Sequence, residues 1–131
     1  MTGWIGDIQE ATLQNPNFRT VLFTGRQMQL TVMRLAPGEE IGVEMHDDTD
    51  QFLRVEEGRA VVTFGPSKDE IAETHHIEDD WAVIVPCGTW HNVVNEGDGE
   101  LKLYSLYAPP EHPDGTVHPT KADADAAEQA H

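Results

Sequence analysis

Short hydrophobic runs alternate with polar turns through the middle of the chain, and this pattern predicts β-strands rather than helices. The runs recur about every 8–12 residues, with glycine, proline and aspartate between them. Strands are predicted over residues 18–24, 28–35, 41–46, 51–56, 60–64, 71–77, 81–85, 91–94 and 101–108. Strands at this spacing are typical of an all-β fold, an antiparallel sandwich or barrel.

The two ends of the chain do not follow this pattern. Residues 1–17 have loosely spaced apolar positions and predict an N-terminal arm with a helical turn, while residues 18–110 hold the predicted barrel. Residues 111–131 form a tail that ends in an alanine-rich stretch. Alanine favours helix, and Thr120 is suited to cap a short one. We therefore expect one β domain with an arm and a tail.

The composition indicates mainly which partners and locations are not expected for this protein. Eight basic against 24 acidic side chains give a net charge of −16. Binding to nucleic acid or anionic lipid depends on Lys and Arg, so we expect neither partner. No apolar run approaches the roughly 18 residues of a membrane span, and the N-terminus lacks the regions of a signal peptide. A single cysteine, Cys87, fits a reducing cytoplasm.

Side chains able to bind a metal are concentrated in two stretches. Residues two apart on a strand point to the same face, so Glu44 and His46 project side by side. Gln51 begins the next predicted strand after a polar turn. His91 begins a later strand, directly after a turn that contains Gly88. Four oxygen or nitrogen donors from distant hairpins can therefore converge in the mouth of a barrel.

The spacing of these stretches resembles that of the cupin family. The first cupin motif, G-x5-H-x-H-x(3,4)-E-x6-G, is matched in spacing by Gly38, Glu44, His46, Gln51 and Gly58. The second, G-x5-P-x-G-x2-H-x3-N, is matched by Asp80, Pro86, Gly88, His91 and Asn95. The resemblance implies a small single-domain cupin, an antiparallel jelly-roll β-barrel.

Three positions depart from the motifs. Asp80 replaces a turn glycine, a position that aspartate tolerates better than most residues. Glu44 stands where the first histidine is usual, and Gln51 where the carboxylate is usual. The exchange keeps two histidines and one carboxylate. The resemblance therefore implies one divalent metal ion per subunit (Fe, Mn, Zn or Ni), bound by Glu44, His46, Gln51 and His91, with Gln51 as a weak ligand.

A metal-free interpretation stays open at this stage. A buried carboxylate needs a partner, and Glu44 can find one in Arg34, in Arg54 or in a neighbouring histidine. The glutamine and the two histidines can likewise satisfy one another by hydrogen bonds.

The resemblance implies a metal-dependent enzyme that acts on a small oxygenated metabolite held in the barrel. A sugar or keto acid is the expected substrate type, and isomerisation or epimerisation the expected reaction. Glu44 is the candidate base, and Tyr104 or Tyr107 the candidate acid. Two alternatives are a non-haem iron dioxygenase, favoured by the two-histidine, one-carboxylate set, and a non-catalytic module that binds a metal or small ligand as a sensor.

Several other features carry weaker hypotheses. Residues 111–122 resemble the C-terminal segment of bacterial cupins labelled mannose-6-phosphate isomerase-like, and are expected over the barrel mouth, on a second subunit or on the surface. Cys87 is more typical of a turn residue than of a ligand, and His75 and His76 of a surface pair. The strand over residues 18–24 is expected at a sheet edge that needs cover. Since cupins pair such edges, we expect a homodimer.

Overall fold

Two antiparallel β-sheets form the body of the molecule in a computed structural model that describes residues 2–129. The strands are β1 (Arg19–Thr24), β2 (Gln29–Leu35), β3 (Asp50–Glu57), β4 (Arg59–Gly65), β5 (Glu73–Glu78), β6 (Ala82–Val85), β7 (Trp90–Asn95), β8 (Leu101–Ala108) and β9 (Val117–His118), and the helices are α1 (Ile8–Gln14) and α2 (Lys121–Gln129). Within these residues the sheets have the orders β6-β3-β8-β2-β1-β9 and β5-β4-β7. The predicted all-β antiparallel fold is confirmed.

The hydrophobic core follows from the alternation of side chains along the strands. Leu101 and Leu103 of β8 are fully buried, as are Leu53 and Val55 of β3. They pack in one cluster with Val62 of β4, which belongs to the other sheet. Burying a side chain of this size stabilises the fold by about 1.5–3 kcal/mol. The core therefore holds the two sheets together and leaves one end of the barrel for polar groups.

Two of the motif positions serve tight turns. Gly58 has φ 111° between β3 and β4, and a Cβ there would lie 2.8 Å from the carbonyl oxygen of Glu100. Asp80, at the position where the second motif has glycine, has φ 74°. In residues 2–129 it is the only residue other than glycine with a positive φ. Its carboxylate accepts a hydrogen bond from Arg54 at 2.8 Å.

The predicted strand over residues 41–46 is wrong. This segment instead forms one isolated bridge with β7, which pairs Glu44 with His91, and Glu40 just before it pairs with Val94. Gly42 has φ 106°, which breaks the extended conformation in the middle of the segment. The segment nevertheless runs antiparallel to β7, and so still determines where the candidate ligands lie.

Strand β1 was predicted to lie at an open edge of the sheet, but in the structure it has a neighbouring strand on both sides. Its first residues pair with β9 of the tail, Arg19 with His118 and Thr20 with Val117. The cover that the strand needs is therefore supplied by the same chain. The argument from an exposed β1 does not apply, and a homodimer stays a prediction without that support.

Both helices begin with a side-chain cap. The Asp7 carboxylate accepts a hydrogen bond from the backbone of Glu10 at the start of α1. At α2, Thr120 Oγ1 accepts from the backbone of Asp123, and the Asp123 carboxylate accepts from the backbone of Thr120. This reciprocal pair is a capping box, as expected for Thr120. Neither helix in the described part of the chain is long and apolar enough to cross a membrane.

The positive φ of Asp80 gives a test of the second motif. Asp80→Ala and Asp80→Gly both remove the Arg54 contact, but only alanine must hold a left-handed conformation with a Cβ. We expect Asp80→Ala to be less stable than Asp80→Gly by about 1–2 kcal/mol. Urea unfolding followed by circular dichroism measures the difference. Equal free energies of unfolding for the two variants would contradict this role.

Candidate metal centre

The backbone sets two candidate ligands side by side. Glu44 and His91 exchange both of their backbone hydrogen bonds, each at 2.9 Å. Opposite residues of such a pair carry their side chains on the same face. His46 follows two residues later, and its carbonyl oxygen accepts a hydrogen bond from Gly88 N at 2.7 Å. Gly88 has φ 80°, so the turn before β7 reaches His46 through a conformation that favours glycine.

The side chains of Glu44, His46 and His91 meet at one point. Glu44 Oε1 lies 3.5 Å from His46 Nε2 and 3.3 Å from His91 Nε2. One donor atom from each residue falls within 4.8 Å of the others. Both histidine side chains are buried, whereas the Glu44 side chain is 21% exposed. The cluster is therefore open to solvent on the carboxylate side.

The other nitrogen of each imidazole is held by an oxygen. His91 Nδ1 lies 3.0 Å from the carbonyl oxygen of Thr89, and His46 Nδ1 lies 3.1 Å from Glu111 Oε1. Donation to these acceptors places the ring proton on Nδ1 and leaves the Nε2 lone pair free. In the described chain both Nε2 atoms are buried without a hydrogen-bond partner. This arrangement suits two metal-binding imidazoles.

The charges of the cluster stabilise one another. Burial alone would raise the pKa of Glu44, but its contacts with His46 and His91 outweigh burial and lower the pKa to about 2. Burial would lower the pKa of His46, yet Glu111 and Glu44 outweigh it and raise the pKa to about 10. In the metal-free protein His46 therefore also carries a proton on Nε2, which a metal ion would have to displace. Both carboxylates stay ionised and attract a cation.

Gln51 is buried in the barrel and contacts the cluster indirectly, through Tyr107. Its Nε2 atom donates to Ser105 Oγ and to the Tyr107 hydroxyl, each at 3.3 Å. The Tyr107 ring in turn packs edge-on against His46, with ring centroids 5.8 Å apart. Gln51 Oε1 is buried without a hydrogen-bond partner. The place of Gln51 as a fourth ligand stays a prediction.

The two tyrosines of β8 lie on opposite faces of the sheet. Tyr107 is buried beside His46 and His112, and burial raises the pKa of its hydroxyl. Tyr104, three residues earlier, faces the other way and packs against Phe52. The structure therefore does not bring Tyr104, a candidate acid, to the cluster. Residues three apart on a strand point to opposite faces, so the sequence of β8 already showed that only one of the two tyrosines can face the cluster.

The tail closes over the barrel mouth, which is one of the three positions expected for it. A cavity of about 230 Å³ lies between the barrel and the tail. Glu44 and His46 line it from the barrel, and tail residues between Glu111 and His118, with α2, line it from the other side. Two of the candidate ligands, Glu44 and His46, thus face a partly open cavity large enough for a small molecule.

Gln29 holds the tail in this position, and the sequence analysis did not single it out. Its Oε1 atom accepts from the backbone of Glu111 at 3.2 Å and of His112 at 3.0 Å. Its Nε2 atom donates to the carbonyl oxygen of His112 at 2.8 Å and to Thr24 Oγ1 at 2.9 Å. Gln29 is fully buried. The amide therefore uses its hydrogen-bonding capacity to place Glu111 against His46.

The arginines considered as partners for Glu44 bind other carboxylates. Arg34 forms an ion pair with Glu100, and Arg54 forms one with Glu56. Glu44 itself contacts only histidines among the ion pairs of residues 2–129. Of the metal-free interpretations, only the one with histidine partners fits this geometry.

The remaining candidates lie outside the cavity. Cys87 is exposed, and its backbone donates to Asp50 at 2.8 Å. His75 and His76 are exposed on β5, where each contacts a glutamate. These positions fit the turn residue and the surface pair that the sequence favoured.

Comparisons with known proteins agree with this architecture. The cupin domain family model matches residues 31–107. The protein YrkC of Bacillus subtilis is 56% identical over 125 residues, 95% of this chain and 67% of YrkC. The mimivirus protein L612 is 37% identical over 115 residues, 87% of this chain and 70% of L612. These matches do not test the narrower resemblance to mannose-6-phosphate isomerase-like cupins.

A solved structure is also similar over nearly the whole chain. The crystal structure of BH2720 from Bacillus halodurans superimposes with a TM-score of 0.92 at 50% sequence identity. The match covers 94% of this chain and 93% of BH2720. It therefore includes most of the arm and the tail as well as the barrel.

The role of Gln29 can be tested by a side chain of similar length. Gln29→Met leaves the backbone groups of Glu111 and His112 without partners, which should lower the free energy of unfolding by about 2–4 kcal/mol. Hydrogen exchange over residues 111–118 should become faster. Gln27→Met, at an exposed position two residues earlier, serves as the control. Unchanged exchange in Gln29→Met would show that other contacts hold the tail.

Proposed function

Because the chain belongs to the cupin family, we propose that it binds one divalent metal ion through Glu44, His46 and His91 and acts on a small oxygenated metabolite beside that ion. One observation carries the proposal. Two buried histidine Nε2 atoms, which have no hydrogen-bond partners among the described residues, face the same carboxylate oxygen at 3.5 and 3.3 Å.

The spacing of the three donors fits a metal better than a direct hydrogen bond. Charge-assisted N–H···O bonds measure about 2.7–2.9 Å, which is shorter than either distance from Glu44 Oε1. Two donors held about 2.0–2.2 Å from a tetrahedral metal lie roughly 3.3–3.6 Å apart. Two histidines and a carboxylate suit Fe, Mn, Zn or Ni, and ligand type does not choose among them. The unpartnered Oε1 of Gln51 supports its proposed place as a weak further ligand.

Residues around the cluster supply orientation and a route for protons. A bound divalent ion provides Lewis acidity to a carbonyl or hydroxyl oxygen of the ligand. Glu111 accepts a hydrogen bond from Nδ1–H of His46 and so keeps the Nε2 atom of this imidazole directed at the metal site. Both Glu44 and Glu111 line the cavity, but only Glu44 contacts both histidines. Glu111 contacts one histidine, whereas Glu44 contacts two, so we propose Glu111 as a second candidate base in addition to Glu44.

Metal content tests the proposal most directly. Protein purified without added metal should contain about one equivalent of a divalent ion, and Glu44→Ala should weaken binding by more than about 10-fold because a ligand is lost. Elemental analysis and metal titration measure both. Glu40→Ala removes an exposed carboxylate four residues away and should change neither. Only a trace of metal in the parent protein, or full content in Glu44→Ala, would sink the proposal.

Two reaction classes are compatible with this centre. We favour isomerisation or epimerisation, because the carboxylates of Glu44 and Glu111 line the cavity and can transfer a proton to or from a bound ligand. The second candidate is an iron-dependent dioxygenase. It is supported by the ligand set, since two histidines and one carboxylate are the composition of non-haem iron oxygenase sites.

Isotope exchange separates the two classes. With a panel of small sugars and oxo acids in deuterated water, we expect deuterium to enter at the carbon next to a carbonyl, without oxygen consumption. His91→Ala should abolish this incorporation. Mass spectrometry and an oxygen electrode give the two readings. Oxygen uptake that depends on His46 would instead identify the dioxygenase.

A further inference from the structure

A buried arginine in the cavity wall has no acidic partner among residues 2–129. Arg19 is only 7% exposed, and it is the only one of the eight lysines and arginines that is buried, all of which lie within residues 2–129. Its side chain points inward because Arg19 and Val21 occupy the buried face of β1. The chain has three times as many acidic as basic side chains. A cation without a carboxylate partner is therefore unexpected here.

The contacts of Arg19 do not neutralise its charge. One guanidinium nitrogen lies 3.3 Å from His118 Nδ1, and the group lies over the Phe18 ring. Its Nε atom is buried without a hydrogen-bond partner, and no carboxylate pairs with it in the described chain. A buried cation left unpaired is strongly unfavourable. An anion bound beside Arg19 would balance this charge.

A second unpartnered group lies in the same wall. His112 Nε2 is buried and has no hydrogen-bond partner in the part of the chain that the structure describes. Both His112 and Arg19 line the cavity that Glu44 and His46 face. Burial, followed by the charge of Arg19, lowers the pKa of His112 to about 4. The imidazole is therefore neutral near pH 7 and adds a hydrogen-bonding group beside the arginine without adding charge.

We propose that Arg19 and His112 bind the carboxylate of a ligand whose other oxygen, a hydroxyl or carbonyl, lies at the Glu44–His46–His91 cluster. The substrate class is then the small hydroxy- and oxocarboxylates. A guanidinium and a carboxylate form paired, charge-assisted hydrogen bonds, which is the contact that Arg19 lacks. The inference rests on the proposed function for the metal-bound end of the ligand.

The charges of the cavity favour a carboxylate over a phosphate. Lys121, the other cation in the wall, already pairs with Asp125 at 2.9 Å, so Arg19 alone is free to bind an anion. Glu111 and Glu128 also line the cavity and would repel a doubly charged phosphate. The volume of about 230 Å³ lies below the range of about 300–1,000 Å³ for sites of drug-sized ligands. A small, singly charged ligand fits best.

The test compares acids with their neutral amides. Lactate, 3-hydroxybutyrate and 4-hydroxybutyrate, each with its amide, are titrated by calorimetry into the Zn²⁺-loaded parent protein. At least one acid should bind at least about 10-fold more tightly than its amide. Arg19→Met should weaken that acid about 10- to 100-fold and leave the amide unchanged, since a charge-assisted contact is lost. Arg26→Met, which removes an exposed arginine from the β1–β2 turn, is the matched control.

Thermal unfolding separates a ligand-binding arginine from a structural one. Arg19→Met removes an unpaired buried cation, so the ligand-free variant should unfold at the same temperature as the parent protein or higher. The acid that binds should raise the unfolding temperature of the parent protein but not that of Arg19→Met. A marked loss of stability in ligand-free Arg19→Met, with acid binding unchanged after correction for folded protein, would show that Arg19 is structural.

The outcomes distinguish this inference from the proposed function. If the protein binds metal but prefers no acid over its amide, or if acid binding survives Arg19→Met, the inference fails and the metal centre stands. If no metal binds but an acid still binds through Arg19, the proposed function fails and the anion site stands. Inorganic phosphate that binds more tightly than every acid, in an Arg19-dependent way, would overturn the carboxylate assignment.

Discussion

The reciprocal backbone pairing of Glu44 with His91 is the interaction on which the candidate centre depends. It joins a segment that is not a regular strand to β7, and so brings two distant stretches of sequence to one point. A further hydrogen bond, from Gly88 N to the His46 carbonyl oxygen, fixes the third ligand. Because all three side chains project from paired backbone, the cluster is held by the sheet rather than by loop conformation alone.

The position of the tail is the second constraint on the site, and the buried side-chain amide of Gln29 maintains it. Gln29 binds the backbone at Glu111 and His112, and this contact sets the Glu111 carboxylate against His46. The same segment covers β1 through β9 and walls the cavity. The cupin domain match ends at residue 107, before these groups, and begins after Arg19. The candidate metal ligands thus lie within residues 31–107, which the cupin model matches, while the groups proposed to select the ligand lie outside them.

The sequence predicted most strands and the three clustered ligands because local rules determine them. The i, i+2 spacing predicted Glu44 and His46 on one face, and the two side chains do meet although their segment is not a regular strand. Turn residues place His91 at the start of β7. The same spacing rule separates Tyr107 from Tyr104. The roles of Gln29 and Arg19 were not predictable in this way. Each is a polar residue that points into the fold from a strand. Its environment is formed by the tail, about 80 to 100 residues later in the sequence, so local rules do not reveal which contacts it makes.

The cavity joins two groups of opposite charge that are each incomplete in the protein alone. The Glu44 cluster offers a carboxylate and two imidazoles that can bind a cation, whereas Arg19 can bind an anion. Direct contact between Glu44 and Arg19 would satisfy both, but Glu44 pairs with His46 and His91, and no ion pair joins it to Arg19 within residues 2–129. Keeping them apart lowers the stability of the free protein, a common cost of a preorganised site. A metal ion with a hydroxy- or oxocarboxylate supplies both missing charges at once.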